Sequence, residues 1–269
     1  RSTLFPYTTL FRSLRYLWYI SKGREEMATT DDLANVLREL GIYADSDMLS
    51  RFTSYMNGIL EWNGRVNLTA IKNPSDFIAK HFIDSVIPVR CPEWKPAKTV
   101  IDVGTGGGFP GVPLAIISPE KTFVLADSLA KRLKIVSELC TSSGITNCDV
   151  LHGRAEDTAH DEKYRQRFDI CVSRAVGRLD VLSEYCLPFV KTGGAFISYK
   201  SGDVSRETSD AKKAIDALGG EITSIRKYKD LCPVSSVETD HCAVVIKKVK
   251  TTPASFPRKA GTPAKDPIR

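Results

Sequence analysis

The chain has 269 residues, of which 42% are hydrophobic and 26% are charged, and its formal net charge is +6. This composition is too apolar for a disordered protein, and no apolar run approaches the roughly 20 residues that a membrane-spanning helix needs. The seven cysteines include no Cys-x-x-Cys pair and so indicate neither a disulfide framework nor a zinc site. We therefore expect a folded cytoplasmic protein with reduced thiols, no bound metal and no membrane partner.

The first 92 residues are predicted to contain a leader and a helical cap. Residues 1–26 include the string TLFPYTTLFRS, which matches the translation of a sequencing adapter, so we expect a non-native leader and a natural start at Met27. Apolar residues recur every three or four positions over residues 31–88, which predicts three helices. Residues 27–92 are therefore expected to form an N-terminal helical cap.

Residues 93–250 alternate between short apolar segments and helical patterns. That alternation predicts right-handed crossovers and a mostly parallel seven-stranded sheet with helices on both faces, an α/β fold of the Rossmann-like kind. An irregular loop separates the last two strands, which could pair as an antiparallel edge. The predicted strands are residues 99–103, 122–126, 149–151, 168–172, 195–199, 221–228 and 241–249.

The positive charge is concentrated at the C-terminal end. Residues 247–269 carry seven basic side chains and one acidic one, which equals the net charge of the whole chain. A basic segment of this kind is typical of binding to a polyanion such as RNA, and the alternative is a segment that only improves solubility. We predict a basic C-terminal tail over residues 251–269.

The strongest functional signal is a glycine-rich turn after the first predicted strand. In VIDVGTGGGFPG, the strand leads into Gly104, Gly106 and Gly108, so side chains are missing where the strand ends and a helix begins. A ligand can then lie against the backbone, and a tight turn without a ligand is the alternative. The spacing fits both a dinucleotide site and a site for S-adenosylmethionine. The turn alone therefore does not distinguish these two cofactors.

Acidic residues after the next two strands fit the adenosine part of either cofactor. Asp127 follows the second strand, where a carboxylate can accept hydrogen bonds from two ribose hydroxyls. Its alternative role is to cap the helix that begins at Ser128 or Leu129. After the third strand, residues 153–157 put small and acidic side chains where an adenine edge would lie, and a solvated loop fits that pattern equally well.

The fourth predicted strand ends near Arg174. A side chain at the carboxyl end of a central strand points toward the crevice where such sheets bind ligands. Its planar donor fork could hold a cofactor carboxylate, a phosphate or a guanine edge, and a structural ion pair is the alternative. The chain lacks an (Asp/Asn)-Pro-Pro-aromatic motif for amine methylation here, and it lacks a Pro-Cys dipeptide for attack on pyrimidine carbon 6. A methyl acceptor is thus expected to be an atom that is already nucleophilic.

Six strings in a fixed order give the chain a family resemblance. From Met27 onward it resembles the bacterial 16S rRNA guanine-N7 methyltransferase G family, also called glucose-inhibited division protein B. The glycine turn is shared with many methyltransferases, whereas NLT, HxxDS and PRKAGTP are more specific. One departure is Gly107, where some members have proline. The strings are NLTAI (67–71), HFIDS (81–85), IDVGTGGGFPG (101–111), DSLAKR (127–132), SRA (173–175) and PRKAGTPAKDPI (257–268).

The resemblance implies a class I methyltransferase fold and S-adenosyl-L-methionine as cofactor, with S-adenosyl-L-homocysteine as product. The implied acceptor is N7 of the guanosine conventionally numbered 527, in the 530 loop of 16S rRNA in the small ribosomal subunit or its precursor. Arg174 is the expected catalytic residue, and Arg258 and Lys259 are expected to bind rRNA phosphates. The expected cofactor contacts, from the motifs and the resemblance together, are Gly104, Gly106, Phe109, Asp127, Ser128, Ala155, Glu156 and Arg174.

Guanine N7 is an acceptor that needs little activation. Its lone pair is free at neutral pH, so no general base is required, and the sulfonium group carries its own leaving group. Catalysis would then consist mostly of holding N7 in line with the methyl group. The alternatives are an NAD-dependent oxidoreductase and a non-catalytic RNA-binding module, which cofactor binding and methyl transfer would distinguish.

Overall fold

The computed structural model describes residues 29–174, 177–233 and 240–268. The leader predicted over residues 1–26 and the start expected at Met27 lie outside the described residues. The strands are β1 (Thr99–Val103), β2 (Thr122–Asp127), β3 (Cys148–His152), β4 (Phe168–Arg174), β5 (Val190–Lys200), β6 (Gly220–Lys227) and β7 (Cys242–Lys248).

These strands form one seven-stranded sheet with the order β3-β2-β1-β4-β5-β7-β6. Neighbours from β3 to β5 pair in parallel, while β7 runs antiparallel to both β5 and β6. The mostly parallel sheet and the antiparallel pairing of the last two strands are therefore confirmed. The fifth strand begins at Val190, earlier than predicted, because it continues through Gly193 and Gly194, residues typical of turns.

Two hydrophobic cores lie on opposite faces of the sheet, because successive strand residues point to opposite sides. In β1, Val100 belongs to one core and Ile101 to the other. The first core also contains the buried side chains of the N-terminal helices, so the cap and one face of the sheet are packed together. The second core contains apolar side chains from the helices that follow β4 and β5.

The N-terminal helices have clear local stop and start signals. Thr29 and Asp32 form a capping box at the first helix, and the side chains of Asp45 and Asn73 cap the next two. The third predicted helix begins at Pro74, and a wider π-helical turn interrupts it. The segments are α1 (Thr30–Glu39), α2 (Ser46–Asn63), α3 (Pro74–Phe77), the π-helical turn (Ile78–Ile83), α4 (Asp84–Val86) and a 3-10 helix (Ile87–Arg90).

The remaining helices connect and cover the strands. Within the described ranges, no helix is long and apolar enough to span a membrane. These helices are α5 (Gly111–Ile116), α6 (Ala130–Ser142), α7 (Ala155–Thr158), α8 (Leu179–Cys186), a 3-10 helix (Leu187–Phe189), α9 (Ser205–Ala217), α10 (Tyr228–Leu231) and α11 (Thr262–Lys265).

The segment predicted as a basic tail packs against the sheet domain over residues 251–268. The guanidinium of Arg165 donates hydrogen bonds to the carbonyl oxygens of Phe256 at 2.8 Å and of Thr252 and Pro253 at 3.0 Å. Thr252 itself is buried. Five guanidinium donors can satisfy several backbone acceptors at once, so this side chain fixes three carbonyl groups of the non-repetitive segment.

Candidate functional site

A cavity of about 370 Å³ lies at the carboxyl ends of the parallel strands. Seven of the eight expected cofactor contacts line it, which places the glycine turn, the loops after β2 and β3 and the end of β4 around one space. Phe109 is the exception. The lining also includes Leu129, Arg132 and Tyr185, which were not expected to contact the cofactor. Leu129 and Arg132 follow Asp127 closely in the chain, whereas Tyr185 comes from α8 and reaches the cavity only through the fold.

The glycine turn has a backbone conformation that depends on its glycines. Gly106 has φ of 58° and lines the cavity, so any side chain there would be strained and would face the ligand space. A Cβ atom on Gly108 would clash with the hydroxyl oxygen of Tyr55. That hydroxyl donates a hydrogen bond of 2.9 Å to the carbonyl oxygen of Gly107. Tyr55, a residue of the N-terminal cap, therefore fixes the position of the glycine turn.

Asp127 connects the glycine turn to the loop before α6. Its Oδ2 accepts a hydrogen bond from the backbone N–H of Gly106, and its Oδ1 accepts one from that of Leu129, both at 2.9 Å. Leu129 is the N-cap residue of α6, so the capping role weighed for Asp127 is present in this form. Each carboxylate oxygen can accept a further hydrogen bond, which leaves capacity for a ligand in the cavity.

The side chain of Asp102 stabilises the glycine turn, a role that was not predicted from the sequence. Its buried Oδ2 accepts hydrogen bonds from the hydroxyl of Thr105 at 2.7 Å and from the N–H of Gly111 at 2.8 Å. Burial raises the pKa of Asp102 to about 6, although these two hydrogen bonds oppose the increase. The side chain fixes the path of the chain from β1 into α5.

Arg174 both lines the cavity and forms the ion pair that was its alternative role. Its Nη1 donates to Asp84 Oδ2 at 2.6 Å and to the carbonyl oxygen of Lys80 at 3.0 Å. Its Nη2 donates to His81 Nδ1 at 3.1 Å. None of the hydrogen bonds within the described parts of the chain uses Nε. The guanidinium is thus oriented by the cap while part of its donor fork stays available.

Asp84 carries the charge that balances Arg174. It is buried, and its second oxygen, Oδ1, accepts a 2.7 Å hydrogen bond from His241 Nδ1. Burial would raise the pKa of Asp84, but the hydrogen bond from His241 and the charge of Arg174 outweigh burial and hold the pKa below its ordinary value. The carboxylate therefore stays ionised and orients two cationic or donor groups.

The ring of His81 is in a defined tautomer. Because an arginine only donates, His81 Nδ1 must accept from Arg174, and Nε2–H then donates to the hydroxyl oxygen of Thr69 at 2.7 Å. Burial and the nearby charge of Arg174 lower the pKa of His81 to about 3. The imidazole is neutral at physiological pH, and both of its nitrogens are occupied. The HxxDS string contains His81 and Asp84, but spacing alone did not reveal that they share Arg174.

Phe109 is the one of the eight expected cofactor contacts that does not line the cavity. Its side chain is 6% exposed and packs into the core between the cap and the sheet. The ring stacks on His81 and lies 5.6 Å below the guanidinium carbon of Arg174. An apolar ring gains more from this burial than from a polar crevice, so its side chain supports Arg174.

Arg258 and Lys259 differ in their surroundings. The guanidinium of Arg258 forms a two-point ion pair with the buried Glu184, with Nε–Oε1 at 2.9 Å and Nη2–Oε2 at 2.7 Å. Lys259 is exposed. Binding of rRNA phosphates by these two residues stays a prediction, and among the described residues Lys259 has no ion-pair partner of this kind.

No group of three or more histidine, cysteine or acidic side chains is positioned to hold a metal ion in the part of the chain that the structure describes. The seven cysteines all lie in that part and are free thiols.

The strand order, with antiparallel β7 inserted between β5 and β6, defines a Rossmann-like class I methyltransferase fold. The glycine turn after β1 and the acidic residue after β2 lie at the end of the sheet where such folds bind ligands. The class of protein defined by this fold and site is a methyltransferase.

Comparison with known proteins gives the family. The family model described as rRNA small subunit methyltransferase G matches residues 48–233. A relative named Ribosomal RNA small subunit methyltransferase G, from Clostridium novyi (strain NT), is 42% identical over 238 residues, 88% of this chain and 96% of its own. The same-named protein of Alkaliphilus oremlandii (strain OhILAs) is 43% identical over 88% of this chain and 100% of its own. The chain belongs to the rRNA small subunit methyltransferase G family.

A solved structure of low sequence identity also matches much of the chain. A putative O-methyltransferase from Klebsiella pneumoniae matches 81% of this chain and 96% of its own chain, with a TM-score of 0.48 and 14% identity. These values are too low to add to the family assignment.

Proposed function

We propose that this protein transfers the methyl group of S-adenosyl-L-methionine to N7 of a guanosine in 16S rRNA and releases S-adenosyl-L-homocysteine. The observation that carries the proposal is the cavity at the end of β1, where the glycine turn and Asp127 meet in a member of this family. The name of the curated relatives supports RNA of the small ribosomal subunit as the substrate. The reaction would take place in the cytoplasm, on the small subunit or its precursor.

The cavity has groups that suit each part of the cofactor. Gly104 and Gly106 leave the backbone open to a ligand, and Asp127 has acceptor capacity for two ribose hydroxyls. Ala155 and Glu156 line the side that would contact adenine. When bound, the cofactor would supply an activated methyl group on a sulfonium. The protein's task is then to bind, to orient and to exclude water.

The acceptor chemistry agrees with the hydrogen bonding of His81. Both nitrogens of His81 are occupied, by Arg174 and by Thr69, so the ring is not available to remove a proton. Guanine N7 needs no such removal. Arg174 is the proposed catalytic residue, because its remaining donors can hold the guanine edge or the cofactor carboxylate. Ser128, exposed at the rim, is a further proposed cofactor contact.

Methyl transfer to purified 16S rRNA and to small subunits tests this function. With radiolabelled S-adenosylmethionine, label is expected on one guanosine, and reduction with borohydride followed by aniline should cleave the RNA there, because N7-methylated guanosine is labile to this treatment. Calorimetry with NAD is the control for the cofactor, and no binding is expected. Label on another atom or base, or the absence of label on every substrate, would reject the proposal.

A further inference from the structure

Two buried carboxylates beside the cavity are held by the C-terminal segment over residues 256–266. Glu156, which lines the cavity, is 5% exposed, and its Oε1 accepts a 2.8 Å hydrogen bond from the backbone N–H of Gly261. Glu184 is 1% exposed and directly precedes Tyr185, which also lines the cavity. Its carboxylate accepts hydrogen bonds from the backbone N–H and the guanidinium of Arg258.

The position of the Glu184 carboxylate depends on the side chain of Arg258. Within the described residues, all hydrogen bonds to the Glu184 carboxylate come from Arg258. A buried carboxylate that loses its only cation becomes strongly unfavourable, so it must move toward water or take up a proton. Movement toward water would displace α8 near Tyr185, and protonation would weaken the hydrogen bond that the backbone N–H of residue 258 donates to Glu184. The side chain of Arg258 is therefore coupled to one wall of the cavity.

Gly261 provides a second coupling that involves no charged side chain of the segment. Its φ is 82°, in the left-handed region, at the N-cap of α11. Its N–H fixes one oxygen of Glu156, while the other oxygen makes no hydrogen bond within the described residues. That second oxygen remains available to a ligand at the adenine side of the cavity. The conformation of residue 261 thus determines where Glu156 points.

The segment is also anchored close to α7, the short helix that carries Glu156. His160, just after α7, makes a 2.8 Å hydrogen bond through Nε2 to the carbonyl oxygen of Pro257. Arg165 holds three more carbonyl oxygens of the same region. The chain is therefore fixed to the domain just before Arg258 as well as at the two carboxylates.

We infer that residues 256–266 position the cofactor cavity, with Arg258 acting through Glu184 and the Gly261 backbone acting through Glu156. Tight binding of the cofactor would then require this segment, and Arg258 would serve as a positioning residue for the cofactor instead of a contact for rRNA phosphates. The inference rests on the proposed function, because it takes the cavity as the S-adenosylmethionine site.

Substitution of two neighbouring residues separates positioning of the cofactor cavity from binding of rRNA phosphates. Arg258→Ala and Lys259→Ala each remove one positive charge at almost the same place in the chain. Affinity for S-adenosylhomocysteine is measured by calorimetry, and affinity for 16S rRNA is measured at several salt concentrations. We expect Arg258→Ala to raise the Kd of S-adenosylhomocysteine at least about tenfold, which is about 1.4 kcal/mol. Lys259→Ala should leave that Kd within about twofold of wild type and reduce the salt slope of RNA binding by about one.

Gly261→Ala keeps the test valid if Arg258→Ala does not fold. It changes no charge, and nothing lies within 4 Å of the added Cβ, but it strains a left-handed residue and should shift the N–H from Glu156. Folding is checked for each variant by circular dichroism. In steady-state assays, the KM for S-adenosylmethionine should rise at least about fivefold in Gly261→Ala, while kcat and the KM for rRNA stay within about twofold. A merely structural role would lower the amount of active enzyme and leave these KM values unchanged.

The outcomes distinguish this inference from the proposed function. If wild type binds S-adenosylhomocysteine and the folded Arg258→Ala and Gly261→Ala variants bind it equally well, the inference is wrong and the proposed function stands. The inference also fails if Arg258→Ala weakens only RNA binding. If wild type binds neither S-adenosylmethionine nor S-adenosylhomocysteine, the proposed function fails first and the inference with it.

Discussion

The imidazole ring of His81 lies flat against the phenyl ring of Phe109, with ring centroids 4.3 Å apart and an angle of 7° between the planes. One ring belongs to the π-helical turn of the cap, and the other belongs to the turn that follows β1. The guanidinium of Arg174 contacts both, through a hydrogen bond to His81 and a position 5.6 Å from the Phe109 centroid. The stacked rings therefore fix the position of Arg174, through a hydrogen bond from the guanidinium to His81 and a cation–π contact with Phe109.

His81 should make stability depend on pH in the mildly acidic range. Burial, with the charge of Arg174, lowers its pKa to about 3, whereas an unfolded histidine titrates near its ordinary value of 6.5. Between these values the unfolded chain binds the proton and the folded chain does not, so stability falls as pH decreases below 6.5. The limiting slope is about 1.4 kcal/mol per pH unit. Urea unfolding at pH 7, 6 and 5 should show a smaller slope for His81→Gln, and equal slopes would contradict the assignment.

Lys248 should make the free energy of unfolding depend on pH above neutrality. The side chain is completely buried, and its Nζ donates to the carbonyl oxygen of Leu187 at 2.6 Å. Burial and the charge of Arg165 lower the pKa of Lys248 to about 7, so between about 7 and its ordinary value the folded chain has lost a proton that the unfolded chain keeps. Lys248 therefore makes stability rise with pH in this window. Unfolding experiments at pH 7 and 8.5 should show this rise in wild type, reduced in Lys248→Met.

A second substitution, at Asp84, separates the structural role of Arg174 from its chemical role. Arg174→Ala leaves the buried Asp84 carboxylate without its cation and should cost about 3 kcal/mol of stability. The loss of methylation should exceed about 100-fold. Adding Asp84→Asn removes the uncompensated charge, so the double variant should regain much of the stability but no activity. Thermal unfolding and methyl transfer measured on the same samples check this, and recovery of activity in the double variant would reject a catalytic role.

Asp127 should control cofactor affinity. Asp127→Ala removes the acceptor for two backbone N–H groups and for the ribose hydroxyls of the proposed cofactor. Two hydrogen bonds to a charged group, at about 1.5 kcal/mol each, predict roughly a 100-fold increase in the Kd of S-adenosylhomocysteine. Asp157→Ala is the matched control, since Asp157 is exposed and does not line the cavity. Equal calorimetric affinities for the two variants would argue against ribose recognition by Asp127.

The sheet and the glycine turn could be predicted because both are local in sequence. Buried parallel strands are short apolar runs, and Gly104 to Gly108 follow one of them directly. The contacts of Arg174 and Arg258 could not be predicted in the same way. Arg174 is paired with a residue 90 positions earlier and Arg258 with one 74 positions earlier, partners that tertiary packing selects. For the same reason, the resemblance suggested a cofactor contact at Phe109 but not the burial of its ring.

The hydroxyl of Tyr55 and the missing side chain of Gly108 have a consequence for how this protein can be recombined. The cap cannot be replaced independently of the sheet domain. A cap from another protein that lacks a tyrosine at this place would leave the Gly107 carbonyl without its hydrogen bond. A crossover near residue 92 would separate two halves of one hydrophobic core. Chimaeras between related enzymes should therefore fold well only when both sides of this contact come from the same parent.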